Sequence, residues 1–152
     1  MPPVKPALAD DFSQGSVNTP EFVDLPYMKQ EHVVALRNFI VQVAKGQPLV
    51  GKNKPSWLGD NLQELPHTQS YKANNYWHYH CGPSYSNASV KSMTYNLNMN
   101  LEGLTSPEVI HYEKREDGSI IIVGFSPNHI PFPPSDLPGH SNPLFPYEET
   151  DD

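Results

Sequence analysis

The sequence predicts an α+β fold: one long and one short N-terminal helix packed on a twisted antiparallel sheet of about four strands. Three observations predict it. Apolar residues recur at helical spacing within 25–45, the period changes to two after Pro66, and Asp117-Gly118 stands between two apolar runs as a hairpin turn signal. The chain has 152 residues, a length suited to one domain, but only 37% are hydrophobic and 17 are proline. A packed centre of roughly 100–110 residues between proline-rich ends is therefore expected. The boundaries predicted are a flexible N-terminal tail over 1–24, a single domain over 25–132, and a proline-rich acidic tail over 133–152.

In chain order, Pro2, Pro3, Pro6, Pro20 and Pro26 mark the N-terminal tail as a segment that drapes over the domain or stays mobile. Val33, Leu36, Ile40 and Val43 then form a helical stripe, with Asp24 as N-cap, Pro26 in the first turn and Gly46 as the stop. Ser56 is the expected cap of the short helix, through Trp57, Leu58, Leu62 and Leu65 to Pro66. Tyr71 to Cys81 reads as a strand ending at Gly82-Pro83. Tyr76, His78 and His80 share one of its faces, and Trp77, Tyr79 and Cys81 the other. Residues 84–106 are read either as holding a strand, Ser92 to Met99, or as a long insertion. Val109 to Arg115 and Ser119 to Phe125 form the hairpin. A two-residue loop would set Arg115 opposite Ile120, Glu113 opposite Ile122 and His111 opposite Gly124. Ile110, Tyr112, Ile121, Val123 and Phe125 would then make the core face, with Lys114 at its margin. His111, Glu113 and Arg115 would occupy the open face, with space over Gly124.

The composition also excludes function classes. No run of about 18 apolar residues is present, which predicts no membrane span. Met1 to Asp11 lacks the apolar stretch of a secretory signal, and Cys81 is the one cysteine, so a reducing cytoplasm is expected. A net charge of −7 argues against a broad electrostatic nucleic-acid binder, though not against an RNA-cutting enzyme with a small basic site. Neither a phosphate-binding glycine loop nor a catalytic serine motif occurs.

Histidine is enriched, with seven in the chain, and His78, His80, His111 and His129 lie on or beside predicted strands. Metal-free RNA cleavage needs a base for the 2′-OH proton, an acid for the leaving oxygen and cations for the growing phosphate charge. His111, Glu113 and Arg115, at i, i+2 and i+4 of one strand, would face one substrate together, and His129 can fold back over the same sheet. His80 is a further catalytic candidate. His78, Tyr79, Lys72 and Lys114 are candidates for substrate contact, Tyr79 by stacking and the lysines on phosphate. On the plainer view, Glu113 and Arg115 are a solvated ion pair, the histidines are satisfied strand residues and the aromatics are core. A third view lets His78 and His80 ligate one divalent metal, with His111 or His129 completing the set.

The order of elements resembles a known family. A helical N-terminal portion precedes a strand ending in Tyr-Trp-His-Tyr-His-Cys-Gly-Pro. Then come the hairpin Val-Ile-His-Tyr-Glu-Lys-Arg-Glu-Asp-Gly-Ser-Ile-Ile-Ile-Val-Gly-Phe and Ser-Pro-Asn-His. Over roughly 25–132 this resembles the RelE/ParE superfamily of type II toxin–antitoxin toxins. The resemblance implies helices on one face of an antiparallel sheet and one of two activities. RelE-like members cut mRNA, usually in the ribosome, by metal-free acid–base chemistry without a cofactor; ParE-like members poison DNA gyrase. His129 matches the family's histidine after the last strand. His111, Glu113 and Arg115 match in residue type, while His78 and His80 stand where basic residues are more usual. A metal-independent endoribonuclease with a cognate antitoxin as partner is the expectation. A small phage-type adaptor acting by protein contact through its tail is the alternative from another class.

Overall fold

The computed structural model describes residues 5–59, 61–86, 88–128 and Leu144. It is α+β, with few helices packed on an open, mostly antiparallel sheet of five strands. In chain order these are β1 (Pro6–Leu8), α1 (Asp10–Gln14), a 3-10 turn (Leu25–Tyr27), α2 (Gln30–Ala44), β2 (Asn53–Pro55), α3 (Gln69–Ala73), β3 (Tyr76–His80), β4 (Val109–Lys114) and β5 (Ile120–Ser126). The strand order is β1-β5-β4-β3-β2, with β1 parallel to β5 and the other pairs antiparallel. Among the described residues no helix is long and apolar enough to cross a membrane.

α2 is the long helix, and Gly46, at φ 69°, follows it as the expected stop. Its buried stripe is Ala35, Leu36, Phe39 and Val43, which meets Tyr79, Cys81, Ile110, Tyr112, Ile120, Ile122 and Phe125 of the sheet. The stripe is turned from the one expected, because Phe39 rather than Ile40 fills the gap between the Tyr79 and Tyr112 rings, at centroid distances of 5.2 and 5.9 Å. Asp24 does not cap α2, which begins six residues later behind Lys29. Its carboxylate instead accepts the Val17 N–H at 2.7 Å and ties the N-terminal segment down.

That segment is part of the fold. β1 adds a parallel edge strand, and Phe12 and Phe22 are fully buried. Burial pushes the Asp24 carboxyl above its ordinary value, against the lowering pull of the Val17 and Ser16 N–H groups. A raised carboxyl stabilises the fold below the ordinary carboxylate range, and this contribution is lost as pH rises through the folded value. Asp24→Asn keeps an acceptor oxygen for Val17. The variant is therefore expected to gain in Tm over the native chain at about pH 7 and to gain less at about pH 4. Equal differences at both pH values would show that the carboxyl titrates as it does when unfolded.

Three further expectations change. The described residues of 56–65 form turns and a Leu58–Glu64 bridge rather than a helix, because Leu62 takes φ 64° and the Ser56 hydroxyl bonds to His78 instead of capping. The one-turn α3 forms after Pro66, so β3 begins at Tyr76, not Tyr71. The described residues of 84–106 belong to a long insertion and form no regular strand, held to 49–53 by bridges at Thr94, Asn100 and Leu104.

The hairpin forms, but its loop is one residue longer than expected. Gly118 N–H closes a turn on the Arg115 carbonyl, Arg115 N–H bonds to the Ser119 carbonyl, and Gly118 takes φ 88°. Lys114, not Arg115, therefore faces Ile120, and a bulge restores the expected pairing of His111 with Gly124. The core face of β5 is consequently Ile120, Ile122 and Phe125, while Ile121 and Val123 are only half-buried.

Candidate functional site

The face of the sheet away from α2 carries the titratable residues. Cross-strand partners share a face, so the register sets Lys54, His78, His111 and Gly124 in one row across β2, β3, β4 and β5. His80, Val109 and Ser126 form the row on one side of it, and Tyr76, Glu113 and Ile121 the row on the other. The β3 alternation thus places His78 and His80 as read from the sequence, at a centroid distance of 5.7 Å, and His78 lies 6.5 Å from His111.

The face was expected to be open, and it is covered. His78, His80 and His111 are 2%, 6% and 1% exposed, and Lys54 is 8% exposed. The Phe22 ring packs 5.2 Å from His111, and Tyr71 of α3 lies over Tyr76 at 6.3 Å. A Cβ on Gly124 would stand 2.8 Å from Leu144 Cδ2, so Leu144 occupies the space that Gly124 leaves beside the imidazole. Neighbours from outside the sheet thus supply the cover, which strand alternation alone does not reveal.

Each histidine has a fixed partner. His78 Nδ1 lies 3.0 Å from Ser56 Oγ, and His111 Nε2 lies 2.7 Å from Ser126 Oγ. A hydroxyl both donates and accepts, so either ring can gain or lose a proton without leaving that contact unmade. His80 is different. Its Nδ1 meets the backbone of a single residue, 2.8 Å from the Ser106 carbonyl oxygen and 3.3 Å from the Ser106 nitrogen, whose N–H points to it. The ring nitrogens thus turn toward separate partners. Among the described residues no group of three or more His, Cys, Asp or Glu side chains is placed to hold a metal ion, and His129, one of the two expected third ligands, lies outside them.

At the rim, Glu113 and Arg115 approach to 3.9 Å and border an open polar groove of about 510 Å³ with Asn74, Asn75 and Asp117. The Tyr76 phenol beside them is pushed up, first by burial and then by the Glu113 carboxylate. Two expected substrate contacts lie on the other face. The Tyr79 ring is buried under α2, where its oxygen accepts the Gly51 N–H at 2.8 Å. The Lys114 ammonium sits 3.9 Å over the Trp77 ring and donates to the Leu97 carbonyl at 2.8 Å, and burial lowers its pKa. Lys72 is exposed on α3 and paired with Glu64 at 2.7 Å. His129 lies outside the described residues, as do the C-terminal acidic residues.

Lys54 and Ser56 are the members that sequence reading missed. Their signal is weak, because Lys54 belongs to a three-residue strand that contains a proline and shows no alternation to read, and Ser56 lies just past it. No protein-family model matches the sequence, and no curated protein or solved structure is significantly similar to it.

Proposed function

We propose that the chain is a metal-independent endoribonuclease whose acid–base pair is His78 and His111. The observation that carries this reading is the row Lys54, His78, His111, which sets a cation beside two imidazoles on one sheet face. In RNA cleavage one imidazole takes the 2′-OH proton as the 2′ oxygen attacks phosphorus, and the other protonates the departing 5′ oxygen. The Lys54 ammonium offsets the charge that builds on the phosphoryl oxygens, and Arg115 at the rim binds the neighbouring phosphate. Glu113 holds Arg115 in place. The reading also agrees with the resemblance to RelE-like toxins, for which mRNA is the substrate and an antitoxin would cover the site. Fold alone carries no activity, so the weight rests on the row.

The test is incubation of the purified chain with cellular RNA in excess EDTA, with and without ribosomes. Cleavage that survives the chelator is expected. Intact RNA in every lane would overturn the reading and favour action by protein contact, on DNA gyrase or another target.

Phe22 and Leu144 stand over His111 and Gly124, so RNA reaches the row only when these side chains leave. Leu144→Ser removes apolar contact from the cover and none from the row. It is expected to raise the initial cleavage rate several-fold with little change in Tm. An unchanged rate would mean that Leu144 does not limit access.

A further inference from the structure

On the opposite side of the sheet, a second pocket of about 330 Å³ opens between α2 and the end of β3. Its aromatic wall is Phe39, Tyr79 and Tyr85. Glu31, Asn38 and Gln42 border it from α2, and among the described residues lining it none is basic. The aromatic wall is held rigid. Phe39 stacks on Tyr79 at 5.2 Å with the planes 29° apart. The Tyr85 hydroxyl donates to the Tyr79 oxygen, which also accepts the Gly51 N–H.

We propose that this pocket receives the guanidinium of an arginine side chain presented by a partner polypeptide. Three properties of the lining point to that chemistry. Its neutral groups stay neutral at physiological pH: burial pushes Tyr79 up to about 12 and raises Tyr85 and Cys81 as well, with the Glu108 carboxylate adding to the last two. The Glu31 carboxylate is therefore the one charge in the described lining, and it selects a cation. Glu108 itself lies behind the lining, 3.8 Å from His32 Nε2.

The acceptors are spread rather than single. Glu31 and the Asn38 and Gln42 amide oxygens lie along one side of α2, which suits a planar fork of several N–H donors better than a compact ammonium. Phe39 and Tyr79 are each only 2% exposed, so the half-buried Tyr85 is the aromatic ring of the lining that a guanidinium plane can stack on. Flanking surface favours a polypeptide over a free small cation. Val34 and Val41, one above the other on α2, are 43% and 42% exposed, and the chain on either side of an inserted arginine would cover them.

The test titrates the full chain with three probes, followed by NMR shifts of α2 amides: acetyl-Leu-Arg-Leu-amide, the same peptide with citrulline for arginine, and agmatine. The arginine peptide is expected to saturate with a Kd at least about tenfold below both others. Glu31→Gln and Tyr85→Phe are measured beside it. The first is expected to weaken the peptide about tenfold and to lower the melting temperature only slightly, since Glu31 is exposed and contributes only as a first-turn carboxylate of α2. The second removes the hydroxyl that locks Tyr79 while keeping the ring, and is expected to weaken it less. Equal binding of the citrulline peptide would overturn the charge argument. Agmatine binding as tightly as the peptide would overturn the polypeptide partner and leave a site for small organic cations. The absence of saturable shifts with any probe would overturn the site.

Discussion

Replacing His78 or His111 by glutamine is expected to slow metal-free RNA cleavage by about 10²–10⁴-fold, the range lost with one acid–base group. Glutamine keeps a hydrogen-bonding end for Ser56 or Ser126, which limits the structural cost of changing a buried ring. The pH profile separates chemistry from stability. If the two imidazoles act as base and acid, the native rate is bell-shaped, and each variant loses one limb of the bell. A variant that is merely less stable keeps the shape and loses amplitude as its Tm falls. Lys54→Met, which retains an unbranched apolar stem, is expected to cost about 10²-fold or more through the lost phosphate charge. Arg115, 47% exposed at the rim and screened by water, is expected to matter less. Full cleavage by both histidine variants would return the row to a structural role.

The largest effect on stability is expected at Gly51. A Cβ there would fall 1.9 Å from the His80 carbonyl oxygen and 2.7 Å from the Tyr79 ring. The carbonyl belongs to the backbone and cannot rotate aside, so the β2–β3 edge must separate. Gly51→Ala is expected to cost at least about 3 kcal/mol, the upper end of the overpacking range. Gly51 also receives the insertion, since a Cβ on Gly103 would stand 2.5 Å from the Gly51 carbonyl carbon. Gly118→Ala is the control. Nothing lies within 4 Å of its Cβ, and only the φ of 88° is strained, at a cost of about 1 kcal/mol. Urea unfolding of the two variants checks the order. Equal destabilisation would show that the Gly51 contact relaxes without loss.

Legibility followed the range of the interactions. The long helix, its glycine stop and the β3 alternation each depend on residues a few positions apart and are legible in the sequence, whereas the buried stripe of α2 is turned toward Phe39 by the Tyr79 and Tyr112 rings. Asp117-Gly118 marks the hairpin but not its register near the turn. The sequence does not say whether Glu116 belongs to the strand or to the loop, and the bulge between His111 and Tyr112 brings the pairing back to the expected one at His111. The short helix expected from Ser56 to Pro66 does not form: Trp57, Leu58, Leu62 and Leu65 have helical spacing, but Leu62 adopts a left-handed backbone.

The candidate site divides in the same way. The sequence by itself determined the α+β class, the long helix, the hairpin, and the sharing of one strand face by Tyr76, His78 and His80. Periodicity is a property of neighbours, and the backbone enforces it locally. Only the tertiary structure decided that Lys54 joins the histidines, that Phe22 and Leu144 stand over His111 and Gly124, and that Lys114 and Tyr79 lie on the α2 side of the sheet. Those relations join segments far apart in the chain, and they depend on which strands pair and which apolar side chains fill the remaining space.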